Sequence, residues 1–232
     1  NYFYTVCPKG NKELYKFVIE SIYLKVPLSE LNPEVILHHN DEWKKSVARF
    51  TFPTRTFKKF EVPPGSLSYR IQTLHQGILP EKVFFCMVST KGVQGSYTEN
   101  PFIFKNQDLE KFSCMVDGKN IYEVSTHFED VSGYVQVYSD FLDAVGIQDR
   151  ELYDKNYYMS GFKEGQFMLG IDLTANTSSK ALGLRKTGTL SAVFNFKSGS
   201  TEPFTILCYS ISRGALTVDK NRKCEIENND MA

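Results

Sequence analysis

The chain has 232 residues, enough to bury a full core as one domain or as one domain with a large appendage. With 41% apolar and 23% charged residues it is globular, and no run of about 18 apolar residues offers a membrane span. Lys plus Arg and Asp plus Glu balance at 27 each, so the chain lacks the positive excess that phosphate-backbone binding requires, and copies repel one another little at long range.

Aromatic residues make up 14%, with 18 Phe and 13 Tyr against one Trp, and with the β-branched residues in short runs they favour strands over helices. The run KFVIESIYLKV predicts a first strand over 16–26. A polar stretch, 29–45, follows, and Pro33 marks the first turn of a short helix within it. The β-prone run VARFTFPTRTFKKFEV, 47–62, has a bend or a sheet edge at Pro53 and stops at Pro63-Pro64-Gly65. Over 66–74, Leu67, Tyr69 and Ile71 alternate with Ser68, Arg70 and Gln72, the pattern of a sandwich strand with one dry face.

The next run, KVFFCMVST at 82–90, is apolar on both parities and belongs in the middle of a sheet or under a neighbouring domain. Residues 91–102 carry the turn chemistry of a loop. In 109–122, Asp117-Gly118 is the strongest hairpin signal of the chain. Val131, Tyr134, Val135, Tyr138, Phe141, Leu142 and Val145 recur at helical spacing, which predicts an amphipathic helix over 129–145 stopped by Gly146. Strands are predicted over 166–173, 188–197 and 203–211, then a closing hairpin over 215–226 that turns at 219–221, and a fraying tail at 228–232. Short strands, long loops and one inserted helix describe an all-β sandwich. Leu67, Tyr69, Ile71, Phe84, Phe167, Leu169, Phe194, Phe196 and Ile206 are its expected core.

Reaction chemistry is sparse. Cys7, Cys86, Cys114, Cys208 and Cys224 are an odd number without a CxxC pair, which reads as free thiols in a reducing compartment. His38, His39, His75 and His127 lack metal-ligand spacing and read as surface or packing residues. A cupin needs several inward-facing histidines and a carboxylate on adjacent strands, a set these positions do not supply. Nucleotide, serine-hydrolase and zinc-protease motifs are missing from the sequence. Asp172 interrupts an apolar strand and reads as an acid that hydrogen-bonds loop backbone rather than as a catalytic group. Asn176-Thr177-Ser178 matches a glycosylation sequon, read as accidental beside the odd cysteine count. Asp219 and Arg222 are placed to pair across the last turn. These readings assign no catalytic residue, cofactor or metal. The opening at Asn1 shows neither a signal-peptide pattern nor a lipidation motif.

Several segments taken in order carry a family resemblance. They are FKKFEVPPGSLSYRIQTLHQGILPEKVFFCMV at 57–88, GSYTENPFIFKN at 95–106, LEKFSCMVDGKNI at 109–121, GQFMLGIDLT at 165–174, GTLSAVFNF at 188–196 and ALTVDKNRKCEI at 215–226. Together, across about 16–226, the chain resembles the major capsid proteins of Polinton/Maverick elements and adintoviruses. The resemblance implies a jelly-roll β-sandwich of viral capsid type, and a subunit that forms homotrimeric, pseudo-hexameric capsomers of an icosahedral shell. Its partners would be copies of itself and other capsid proteins, and its place the virion capsid, assembled in the host nucleus or cytoplasm.

Family members carry two rolls, and 232 residues are too few for both. Residues 1–45 are accordingly read as a remnant or the last strands of a first roll plus a linker, and 46–227 as one complete roll. The loop 92–102, with Tyr97, Glu99, Asn100 and Phe102, and the helix 129–145, with Tyr134 and Tyr138, are the expected subunit interfaces. A single-roll penton protein, a carbohydrate- or ligand-binding sandwich and a cupin-type enzyme remain as alternatives.

Overall fold

The computed structural model describes residues 18–96, 99–146, 159–174 and 186–227. Among these the elements run α1 (Pro33–Lys45), β1 (Ala48–Val62), β2 (Ser68–Ile78), β3 (Lys82–Ser89), α2 (Thr90–Gln94), β4 (Leu109–Val116), β5 (Lys119–Ser125), α3 (Val135–Val145), α4 (Met159–Glu164), β6 (Met168–Asp172), β7 (Thr187–Phe196), β8 (Phe204–Val218) and β9 (Cys224–Glu227). A 3₁₀ turn, Val131–Gly133, precedes α3.

The first eight strands pair as one long hairpin would: β1 with β8, β2 with β7, β3 with β6 and β4 with β5, all antiparallel. Rolling that hairpin up adds β3 to β8 and β4 to β7. The product is two facing sheets, β1-β8-β3-β6 and β2-β7-β4-β5, which is the eight-strand jelly roll. β9 adds to β8 beyond the end of β3.

Between the sheets, Phe85 of β3 meets Phe112 of β4 and Phe194 of β7 at ring separations of 5.4 and 5.5 Å, and those two lie 4.8 Å apart. Leu74, Met87, Leu169, Leu190 and Ile206 close around them, all almost fully buried. Among the described residues these side chains form one continuous core cluster between the sheets. A second aromatic group, Phe128, Tyr134, Tyr138, Phe162 and Phe167, seats α3 and α4 on the roll, with neighbouring rings 5.2 to 6.2 Å apart.

Local chemistry sets the ends of elements. Asn32 caps α1, its Oδ1 accepting from Glu34 N at 3.1 Å, with Pro33 in the first turn and Lys44 and Lys45 in the last. The β4–β5 turn holds Asp117 and Gly118 at φ of 50° and 78°, the left-handed pair that a two-residue hairpin demands. Asp117 also accepts from Thr189 N at 2.8 Å, tying the turn to β7. Gly146 ends α3 in the left-handed region, as its position predicts.

Some expectations need correction. Over its described part, 18–26, the strand expected over 16–26 does not form: residues 18–32 have no helix or strand, and among the described residues none pairs with them in a ladder. The strand expected over 203–211 and the first arm of the closing hairpin are one continuous β8, since β1 offers a partner along its whole length. The helix begins at Val135, six residues later than expected, because Asp130 accepts from Gly133 N and holds a tighter 3₁₀ turn instead. The loop after β3 opens with the short helix α2.

Leu67 is 59% exposed, since β2 begins only after it, and Phe84 faces outward rather than into the sandwich. The alternation in β2 breaks between Ile71 and His75, where a register shift brings Leu74 and His75 both into buried positions. Of the surface and packing roles read for the histidines His75 takes the packing one, its Nε2 2.8 Å from the buried Ser210 hydroxyl. Arg222 turns away from the Asp219 carboxylate and places its guanidinium 5.9 Å from the Trp43 ring and 3.4 Å from Asn40 of α1.

Burial pushes the thiols of Cys86 and Cys114 up to about 12 and that of Cys208 to about 11, against an ordinary 9.0; at Cys208, Ser210 and Lys58 pull the other way. The folded chain therefore holds these protons more tightly than the unfolded chain. That stabilisation is whole below pH 9 and drains away as pH rises through 11 to 12. Thermal melts should show Tm falling by about 5 °C or more between pH 8.5 and 11, and a C114A/C208A variant should show a shallower alkaline slope. Phe194→Ala, which empties the centre of the aromatic triad, should cost about 3–5 kcal/mol in urea unfolding.

Candidate assembly surfaces

With this core cluster between its sheets, the roll presents its outer faces and loop ends to other molecules. Register places three rows of side chains across the outer face of the first sheet. They run Lys59, Leu207, Cys86, Met168, then Phe57, Tyr209, Phe84, Gly170, then Arg55, Ile211, Lys82, Asp172. Sheet strands covered on both faces read as apolar on both parities, which is the pattern of β3.

The β6 end of these rows is covered by α3. A Cβ on Gly170 would stand 3.0 Å from both the Ala144 Cβ and the Phe141 Cα, so only glycine lets the helix lie this close. Phe141 meets the Phe84 ring edge-on at 6.3 Å. Lys82 donates to the Ala144 carbonyl at 2.6 Å at the helix C-terminus, where a cation is favoured, and stands 3.6 Å from Asp172. Asp172 in turn accepts from Thr174 N at 2.9 Å, the loop-fastening role read from its sequence context. At the middle of the helix Tyr122 donates to Asp140, and burial with this bond pushes the Tyr122 phenol well above its ordinary range.

Among the described residues nothing covers the rest of this face. Between α3 and β1 runs a groove of about 520 Å³, with Leu207, Tyr209 and Ile211 on its floor and Phe57, Phe141 and Val145 on its sides. Phe57 is 58% exposed, an unusual state for a ring at the centre of a strand.

A second surface lies at the end of the roll where the long connections gather. Gly65 N donates to Ser200 O, Lys197 N to Asp108 O and Phe104 N to Gly165 O, tying the β1–β2, β7–β8, β3–β4 and β5–β6 connections together. Lys91 bridges to Glu202 at 2.6 Å. Here a polar cleft of about 460 Å³ is lined by Ser89, Glu99, Asn100, Gln107, Ser200 and Glu202 among others.

The expected interface residues divide between different places. Asn100 and Phe102 are exposed on the β3–β4 connection, where Asn100 Oδ1 accepts from Phe102 N and turns that ring outward; Glu99 is half-buried beside them. Tyr97 lies outside the described residues, as do Cys7 and the sequon at 176–178. Tyr134 is corrected: it is 4% exposed, stacked between Phe128 and Phe162, and belongs to the core. Tyr138 is half-buried, with its ring against Phe162. The groove on the outer sheet face was missed, although the two-sided apolar pattern of 82–90 was its signal. His38 and His39 lie on α1, and among the described residues no group of three or more His, Cys, Asp or Glu is placed to hold a metal ion.

No protein-family model matches the sequence, and no curated protein matches it significantly. Among solved structures it is similar to the Sputnik virophage (TM-score 0.47, 10% identity, 80% of this chain and 39% of that one). It is also similar to PBCV-1 VP54 fitted into a reconstruction of Sputnik (0.47, 8%, 82% and 54%) and to the mavirus major capsid protein (0.39, 9%, 79% and 42%). The chain thus spans about half the length, or less, of the structures it matches.

The seat of α3 has a direct test. Gly170→Val should lift the helix from the sheet at a cost of about 1–3 kcal/mol. Hydrogen exchange should then show faster exchange in α3 and β6 and unchanged protection in β4 and β7; equal loss everywhere would contradict the packing described.

Proposed function

We propose that this chain is a structural subunit of a viral capsid, assembling with copies of itself into trimeric, pseudo-hexameric capsomers of an icosahedral shell. Jelly rolls serve viral capsids, lectins and cupins. The observation that separates these uses is where the roll is open. Its interior is filled by Phe85, Phe112 and Phe194, while its outer face carries an apolar groove bounded by an exposed ring, Phe57. Surfaces of that kind mark contacts between proteins.

The ordered sequence resemblance over 57–226 supports the same reading, with copies of the chain and other capsid proteins as partners and the virion as its location. Under this reading 46–227 is the roll, and 1–45 is a remnant or the last strands of a preceding roll with its linker. Phe102, with Asn100 and Glu99 behind it, would add a contact at the loop end.

A second reading, carbohydrate binding, has one observation in its favour: the polar cleft at the loop end, rich in amide, hydroxyl and carboxylate groups. Binding to a glycan array would support it.

Light scattering and negative-stain imaging of the purified chain test the capsid reading. Trimers, or shells built from them, are the expected result. Rings of five would replace the capsomer with a penton, and a monomer throughout the micromolar range would remove the reading.

A further inference from the structure

Residues 18–45 stand outside the roll. Ile19, Ile22, Tyr23, Leu24, Val26 and Leu28 are 62–92% exposed, and α1 buries none of its side chains. This density of apolar side chains in water marks a segment whose partner lies elsewhere. The same chain carries a second open apolar surface, the groove between α3 and Phe57.

The charges of the two are complementary. Arg55 and Lys59 flank Phe57 on the outward side of β1, and Lys82 lines the groove against Glu81. Residues 18–45 bear Glu20, Glu30, Glu34, Asp41 and Glu42 against three lysines. Each surface has an excess of two charges, of opposite sign.

The arm does not occupy the groove of its own chain, since no residue of 18–45 lines it. Trp43 and Asn40 are tied to Arg222 in the β8–β9 turn, at the end of the β1–β8 ladder where Ala48 pairs with Val218. Phe57 is nine residues further along β1, about 30 Å away at the rise of a strand.

We propose that residues 18–45 of one copy dock in the groove between α3 and Phe57 on the outer sheet face of a second copy. Donor and acceptor are different patches, so the contact is heterologous: it links copies head to tail and closes into a ring where the rotation permits. This deepens the capsid reading and rests on its self-association, yet the two fail separately.

Two full-length variants test it at positions too exposed to affect folding: I22D/L24D in the arm and F57D in the groove, each checked by circular dichroism. In sedimentation velocity the unaltered chain should self-associate, and each variant alone should do so at least about 10-fold more weakly. Mixed, they should form a one-to-one pair, because the first retains a groove and the second an arm. A monomeric unaltered chain would overturn this proposal and the capsid reading together. Assemblies that persist in either variant, or variants that fail to pair when mixed, would overturn the arm-in-groove contact and leave the capsid reading standing.

Discussion

The contact of Phe85 with Phe112 and Phe194 is the constraint from which the rest of the molecule follows. It joins a strand of one sheet to the two middle strands of the other, and rings of this size contribute the largest share of buried apolar area per residue. Because period-two alternation fixes faces, directing Phe85 inward fixes Val83 and Met87 inward and turns Phe84 and Cys86 outward. The apolar outer face is thus a consequence of the core: β3 is apolar on both parities, and only one parity can be used between the sheets.

That leftover face is half used. α3 covers its β6 end, held by Gly170, by Phe141 on Phe84 and by Lys82 at the helix terminus. The helix is in turn seated by the second aromatic group, where Tyr134 and Phe162 are consumed as core. Beyond α3 no described residue covers the face, and the exposed arm at 18–45 has the composition to meet it. Among the described residues the chain therefore shows both a surface without a cover and a segment without a seat, which is the physical content behind the proposal that it is a subunit.

The polar groups of the interior fit the same picture of a scaffold. His75 is satisfied by Ser210 and Thr90 by Thr205, and Lys58 donates to the Leu74 carbonyl. Such bonds remove the cost of burying these groups and tie β2 to β8 and β1 of the opposite sheet, and α2 to β8. The buried thiols are held neutral by their surroundings, which makes them small packing groups rather than nucleophiles.

Much of this was legible in the chain. Strand positions followed from alternation, and the β4–β5 hairpin from Asp117-Gly118, which tolerate left-handed backbone. The start of α1 followed from Pro33, and the end of α3 from Gly146. These are local matters, decided by backbone sterics and by which groups a residue can bond within a few positions of itself. What only the tertiary structure decided was partnership. Residues 16–26 have the composition of a strand, but a strand needs a neighbour for its N–H and C=O groups, and among the described residues none pairs with 18–26. Tyr134 and Tyr138 share a helical stripe whose pattern cannot tell core from interface; Phe162 of α4 takes Tyr134 into the core and leaves Tyr138 half-buried. Phe57 and Phe84 likewise became a surface only when β8 was placed between them, because hydrogen-bonded register across strands far apart in sequence determines which side chains stand side by side.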